Sequence, residues 1–266
     1  MKLQIDIITK QVVNISRTMG LFLKEEINKL HDKDIKTKSL NNFVTYIDQQ
    51  TEERLVEMLQ HILPQAGVIA EEKDYGKYSD EYNWIIDPLD GTTNYIHGIP
   101  LYCISIALQY KDEIIAGIIH EPNLYETFYA WKGGPAYMNG SKIHVSNQKT
   151  LQDSLIATGF PYHDYSKMKE YMTTFHYLMK NSHGVRRLGS AAMDLAYVAC
   201  GRYDGFYEYG LSPWDVAAGS IIVQQAGGKV SDFKGDTNFI FGKEILASNS
   251  NIFNAFNQLM KDSFQQ

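Results

Sequence analysis

Cysteine is nearly absent: Cys103 and Cys200 are the two in 266 residues. That count excludes a disulfide framework, and apolar neighbours on both (Tyr102 and Ile104; Val198 and Ala199) mark them as small buried hydrophobes. Positive charge is in deficit, with 25 Lys and Arg against 31 Asp and Glu and a formal net charge of −6. This argues against nucleic acid as a partner, which calls for a basic surface. It leaves room for a small phosphorylated substrate, because bound divalent cations invert the local field. No stretch approaches the ~20 apolar residues of a membrane span. The opening Met1-Lys2-Leu3-Gln4-Ile5-Asp6 carries acid early and lacks the apolar stretch of a signal peptide. The expectation is a cytoplasmic protein with no membrane partner. Repeats and low-complexity segments are absent. The eight histidines show no paired metal-ligand spacing. Neither a Gly-X-Ser-X-Gly elbow nor a Gly-X-Gly-X-X-Gly fingerprint occurs, so nothing supports a nucleophilic serine or a resident dinucleotide.

What is present is an ordinary globular composition, 44% apolar and 21% charged, with length for a large core. Apolar residues at Ile7, Ile8, Val12, Ile15, Met19, Leu23, Ile27 and Leu30 predict a long amphipathic first helix, over 3–30. The polar stretch from Lys33 to Asn42 reads as a mobile connection. A second helix is expected over 46–62, closed by Pro64 and Gly67. Short apolar runs at 68–70 and 84–86 each deliver acids at their ends. Runs at 103–110, 114–119 and 127–131 read as an antiparallel meander. Asn139-Gly140 is a strong hairpin signal, because both residues accept the positive φ of a type I′ turn. Beyond Ser146, strands expected at 155–158, 185–188, 206–208, 229–231 and 245–247 alternate with helices at 166–179, 191–200, 213–225 and 252–261. The pattern predicts a layered α/β sandwich of two fused lobes: an α+β lobe over 1–146, with two helices and an antiparallel sheet, and an α/β lobe over 147–266.

Three segments carry the chemistry. In Trp84-Ile85-Ile86-Asp87-Pro88-Leu89-Asp90-Gly91-Thr92-Thr93-Asn94 an apolar strand is expected to end at Asp87, since Pro88 cannot donate to a ladder. Gly91 supplies a permissive backbone, and Thr92 or Thr93 can cap a following helix. Two carboxylates then stand beside a helix N-terminus, where acids gather cations and free N–H groups gather an anion. Alone, these are ordinary turn residues. Val68-Ile69-Ala70-Glu71-Glu72 repeats the pattern of a strand ending in acids. Ser212-Pro213-Trp214-Asp215 opens a helix whose Ala217, Ala218 and Gly219 permit close packing; an acid there also simply complements the helix dipole.

In this order the three segments closely resemble the inositol monophosphatase family of magnesium-dependent, lithium-sensitive phosphatases, over essentially the whole chain. The resemblance rests on Asp87-Pro88-Leu89-Asp90-Gly91-Thr92-Thr93-Asn94 and on Trp214-Asp215-Val216-Ala217-Ala218-Gly219 followed by Ala226-Gly227-Gly228. It implies a homodimer of α-β-α-β-α sandwiches, as in the related fructose-1,6-bisphosphatases, with two to three Mg²⁺ per site. Glu71, Asp87 and the Leu89 carbonyl match a first metal site, and Asp87, Asp90 and Asp215 a second. Glu71 also matches the ligand of a third, held largely through waters. The backbone N–H groups of Gly91 and Thr92 match a phosphate cradle. The Thr92 hydroxyl, supported by Thr45 and Asp48, matches the group that positions the attacking water. Asn42 stands where the family usually has an acid. Gly189, Ala191, Glu208 and the segment Thr158-Gly159-Phe160-Pro161 match the substrate wall, and Arg186 and Arg187 are placed to reach a second anionic group. The expected activity is hydrolysis of a phosphate monoester by direct attack of metal-activated water. Myo-inositol 1-phosphate is the default substrate, and fructose 1,6-bisphosphate, NADP⁺ and 3′-phosphoadenosine 5′-phosphate are alternatives. A regulatory role on the transcription machinery is the reading from another class.

Overall fold

The computed structural model describes residues 3–30, 35–39, 42–162 and 164–264, with side chains outside 35–44. The first helix, α1 (Ile5–Glu26), buries Ile8, Val12, Met19 and Leu23 along one face, as the apolar spacing requires. The expected Lys33–Asn42 connection lies partly outside the described residues. Where described, its backbone pairs antiparallel as β1 (Ile35–Ser39) and β2 (Asn42–Thr45), so strand structure stands where a connection without regular structure is expected. α2 (Tyr46–Ile62) begins at Thr45, where Ile47 N–H donates to Thr45 Oγ1 at 3.1 Å and Thr45 N–H donates to Asp48 Oδ2 at 2.8 Å. That reciprocal pair satisfies two otherwise orphaned donors.

Seven strands from 67–142 form the larger sheet in sequence order: β3 (Gly67–Ala70), β4 (Tyr82–Asp90), β5 (Cys103–Tyr110), β6 (Glu113–Glu121), β7 (Glu126–Trp131), β8 (Tyr137–Met138) and β9 (Ser141–Lys142). β3 and β4 run parallel and every later pair antiparallel. The β8–β9 turn is the expected one, with φ of 49° at Asn139 and 85° at Gly140. A short α3 (Thr92–Ile96) follows β4. The second sheet has the order β11 (Gly184–Arg186), β10 (Leu155–Thr158), β12 (Gly205–Tyr209), β14 (Glu244–Ser248) and β13 (Lys229–Ser231). Among its neighbours lie α4 (Met168–Asn181), α5 (Ala191–Ala199), α6 (Pro213–Gln225) and α7 (Phe253–Phe264).

Strand alternation sorts the side chains into three cores. Trp84, Ile86, Ile104, Ile106 and Leu108 pack under α1 and α2. Their opposite-facing neighbours Ile85, Ala107 and Ile119 meet α5, α6 and, beyond them, Phe206, Ile245 and Ala247 of the second sheet. Tyr207 and Leu246 face outward to α4 and α7. The result is the expected α-β-α-β-α sandwich, with its central helix pair sealed between two sheets. Among the described residues no helix is long and apolar enough to cross a membrane. Cys103 is buried as expected, whereas Cys200 is half-buried.

The central layer is tight. A Cβ on Gly117 would lie 2.5 Å from the Ala218 carbonyl oxygen and 2.7 Å from Ile221 Cγ2. Gly117→Ala is therefore expected to force α6 off β6, at a cost of about 1–3 kcal/mol, read as a fall in melting temperature. An unchanged melting curve would show that α6 is free to shift, against this packing.

Candidate active site

The expected end of β4 is corrected by the structure. The strand does not stop at Asp87 but runs to Asp90, because one extra residue bulges out between the pairs Asp87↔Ser105 and Asp90↔Cys103. A bulge is where a sheet accommodates a proline without losing a ladder hydrogen bond, and it re-aims the side chains around it. Asp87 Oδ1 accepts the Leu89 N–H at 2.9 Å across this bulge. Gly91 follows with φ of 98° and is itself the cap of α3; no threonine side chain caps that helix. The left-handed backbone is why glycine is required there. Asn94 Nδ2 then donates to the carbonyls of Leu101 and Leu188, both at 2.8 Å, tying the β4 motif to the chain leading into α5.

Each acid of the motif is fixed by a backbone group. Asp90 Oδ2 accepts from Ser190 Oγ and from the Ala192 N–H, both at 2.7 Å, at the start of α5. Asp215 Oδ2 accepts the Ser212 N–H at 2.6 Å at the start of α6. Asp87, Asp90 and Asp215 thereby present carboxylate oxygens within 4.8 Å of one another. No described ion pair reaches any of the three. Burial, with repulsion from Glu71, Asp90 and Asp215, pushes the Asp87 carboxyl well above the ordinary range. Burial also raises Asp90 to about 6, against its hydrogen bonds from Ser190 and α5. Asp215 is raised by burial, then by Asp90 and Glu71. Such a set is strained without a cation and suits one with it: oxygen-only donors, like-charged, at one point. The residues present fit a hard divalent cation.

Around this cluster lies a cavity of about 310 Å³, lined also by Glu71, Leu89, Gly91, Thr92, Gly189, Ala191 and Glu208. Asp48 is buried behind it, and Thr92 Oγ1 lies 3.2 Å from Asp48 Oδ1 and 3.0 Å from the Leu89 carbonyl oxygen. Thr45 Oγ1 donates to the other Asp48 oxygen at 2.6 Å, so these three side chains form one chain of contacts. Glu208 points from the inner face of β12 into the cavity. A Cβ on Gly159 would lie 2.1 Å from its carboxylate, so that glycine is the space Glu208 occupies. Burial pushes the Glu208 carboxyl up to about 8, with Arg187 opposing.

Two of the expected wall residues fall elsewhere. Arg186 is exposed, donates to the Val185 carbonyl at 3.1 Å and does not line the cavity; Arg187 does. The Arg187 guanidinium lies over Phe160 and Tyr162, 5.4 and 5.6 Å from their ring centres, and donates to the Tyr162 hydroxyl. Thr158 is buried behind the wall, donating at 2.8 Å to the Tyr207 carbonyl, while Gly159, Phe160 and Pro161 do line it. The Asn42 side chain lies outside the described residues. Asp194 also lines the cavity and the motifs did not mark it. Its signal is a lone charge within the apolar run Ala191-Ala192-Met193-Asp194-Leu195-Ala196.

Known proteins match this chain along most of their length. The model of the inositol monophosphatase family matches residues 4–264. Nus factor SuhB of Pseudomonas aeruginosa is 40% identical over 245 residues, covering 90% of each chain. Inositol-1-monophosphatase of Mesorhizobium japonicum is 36% identical over 251 residues, covering 94% of each. The crystal structure of extragenic suppressor protein suhB from Bartonella henselae superposes with a TM-score of 0.89 at 35% identity, covering 96% of this chain and 98% of that one. With its sandwich, its clustered acids and a match from end to end, the chain belongs to the inositol monophosphatase family.

Proposed function

We propose that this chain is a Mg²⁺-dependent phosphate monoesterase of inositol-1-monophosphatase type, acting in the cytoplasm as a homodimer on small phosphorylated substrates. The observation that carries the reading is the triad of Asp87, Asp90 and Asp215, held within 4.8 Å at the rim of a cavity that Gly91 and Thr92 also line. Glu71, Asp87 and the Leu89 carbonyl would hold one cation, Asp87, Asp90 and Asp215 a second, and Glu71 a third. When bound, such cations acidify water and neutralise charge on the departing oxygen. The protein's own groups do the positioning. The N–H groups of Gly91 and Thr92 hold phosphate oxygens. With its proton given to Asp48 or to the Leu89 carbonyl, Thr92 Oγ1 keeps a lone pair to orient the attacking water. Glu208, on the opposite wall, accepts from hydroxyls of the leaving alcohol.

The deciding experiment is phosphate release from myo-inositol 1-phosphate, fructose 1,6-bisphosphate, NADP⁺ and 3′-phosphoadenosine 5′-phosphate, with Mg²⁺ and with a chelator. Mg²⁺-dependent release from at least one is expected, and release from none would overturn the reading. Lithium in the same assay should inhibit uncompetitively, through the site of Asp87, Asp90 and Asp215. Glu208→Gln is expected to raise KM for inositol phosphate roughly tenfold more than for an aryl phosphate, the size of one hydrogen bond. Equal losses of kcat on both esters would place Glu208 in the chemistry instead.

The name of the Pseudomonas relative, a Nus factor, favours a second reading as a regulatory partner of the transcription machinery. Cells carrying only an Asp87→Asn chain separate the two: a retained phenotype supports the binding role.

A further inference from the structure

The leaving-group side of the cavity contains a second acid that the metal cluster does not use. Asp194 sits in the first turn of α5 and is 1% exposed, yet it lines the cavity together with Glu208, which is 6% exposed. Asp194 Oδ1 is buried without a hydrogen-bond partner. No described ion pair includes Asp194, Glu208 or Arg187. The Arg187 guanidinium at this wall donates to the Tyr162 hydroxyl and covers the rings of Phe160 and Tyr162, while its Nε is buried without a partner. Burial, and then repulsion from Glu208 and Asp90, raises the Asp194 carboxyl well above the ordinary range, with Arg187 opposing.

A buried carboxyl oxygen without a partner costs the fold free energy, and an apolar residue of similar size would remove that cost. The rest of α5 shows that apolar residues suit this helix: Ala191, Ala192, Met193, Leu195, Ala196 and Val198 are all buried. Packing therefore gives no reason for an acid at this position. The cavity does. Ligand hydroxyls are donors, and a carboxyl oxygen inside a cavity accepts from them whether or not the group is ionised. A site built to hydrogen-bond a hydroxyl discriminates steeply against analogues that lack it, because its buried polar atom is then left unpaired.

We propose that Asp194 is a specificity-determining residue that accepts a hydroxyl of the leaving alcohol alongside Glu208. Monoesters whose alcohol carries at least two further free hydroxyls are then favoured over those whose alcohol carries none. This rests on the phosphatase reading above and narrows its substrate class.

The test is steady-state kinetics of wild type, Asp194→Asn and Asp194→Ala on myo-inositol 1-phosphate and on 4-nitrophenyl phosphate, which has no neighbouring hydroxyl. The ratio of kcat/KM, inositol ester over aryl ester, should fall about ten- to a hundredfold in the Ala variant, carried by KM. The Asn variant keeps one carbonyl acceptor in the same shape and should recover part of that loss. A purely structural Asp194 would move both esters together and leave the ratio unchanged in both variants, which overturns the proposal. Should neither variant fold, wild type decides alone. An inositol phosphate lacking hydroxyls on the ring face opposite the phosphate should be a poorer substrate by a similar factor, and an equal rate would again overturn it. If wild type releases phosphate from neither ester, the phosphatase reading itself fails, a result distinct from an unchanged ratio.

Discussion

Asp87→Asn is expected to lower kcat/KM about a thousandfold, near 4 kcal/mol of transition-state stabilisation, while leaving the chain folded. Asp87 is 1% exposed and is repelled by Glu71, Asp90 and Asp215 together, so its charge has no purpose in the fold and is costly there. The amide keeps Oδ1 as an acceptor for the Leu89 N–H, and the bulge at the end of β4 stays formed. What is lost is a bridging carboxylate, which an amide oxygen replaces poorly in binding a hard cation. Two measurements check this. Phosphate release gives the activity, and retention of more than about a tenth of kcat, a change of only ~1.4 kcal/mol, would remove Asp87 from the centre of the site. Thermal melting in chelator should show the variant more stable than wild type, because one of several mutually repelling acids has gone.

The acids of this site were legible because each stands at an element boundary that local chemistry marks. Glu71 follows β3, Asp90 closes β4, and Asp215 stands three residues after Ser212 with Pro213 between them. The helices with clear caps were legible to the residue, as α2 and α6 show. Pro88 misled, because a proline argues against a ladder only where its N–H is needed, and a bulge supplies a place where it is not. The choice between Arg186 and Arg187 was closed to sequence for a different reason. Consecutive residues at a strand end point to opposite sides, and only the register of β11 on β10 decides which side is the cavity. Asp194 was hidden because a single acid in a helix reads as solvent-facing unless the helix is known to be sealed between two sheets, as α5 is.

The response of stability to Mg²⁺ should itself depend on pH, and with a definite sign. In the folded, metal-free chain Asp90 is pushed up to about 6, and Asp87 and Asp215 are raised as well, by burial first and by one another second. Unfolded, such carboxyls titrate near ~3.9. Between those values the folded state holds more protons than the unfolded one, so metal-free stability is full below the unfolded value and declines as pH rises through the folded ones. Glu208, raised to about 8, extends the decline upward. His120 opposes it at the acid end: burial lowers its value to about 4, so its contribution is present above ~6.5 and is lost as pH falls. Absolute melting temperatures mix these effects, whereas the shift on adding Mg²⁺ at each pH reports the acid cluster and, through its charge on Asp90 and Asp215, Glu208, but not His120. Divalent cations bind the ionised carboxylates and must displace any protons there. The Mg²⁺-induced rise in melting temperature should therefore be small at pH 5 and several degrees at pH 8, at ~2–4 °C for each kcal/mol in a chain of this size. The rise should largely vanish in Asp87→Asn. Equal rises at both pH values would show that the acids of the cluster are already ionised without metal, and that their mutual repulsion is relieved by something other than a bound cation.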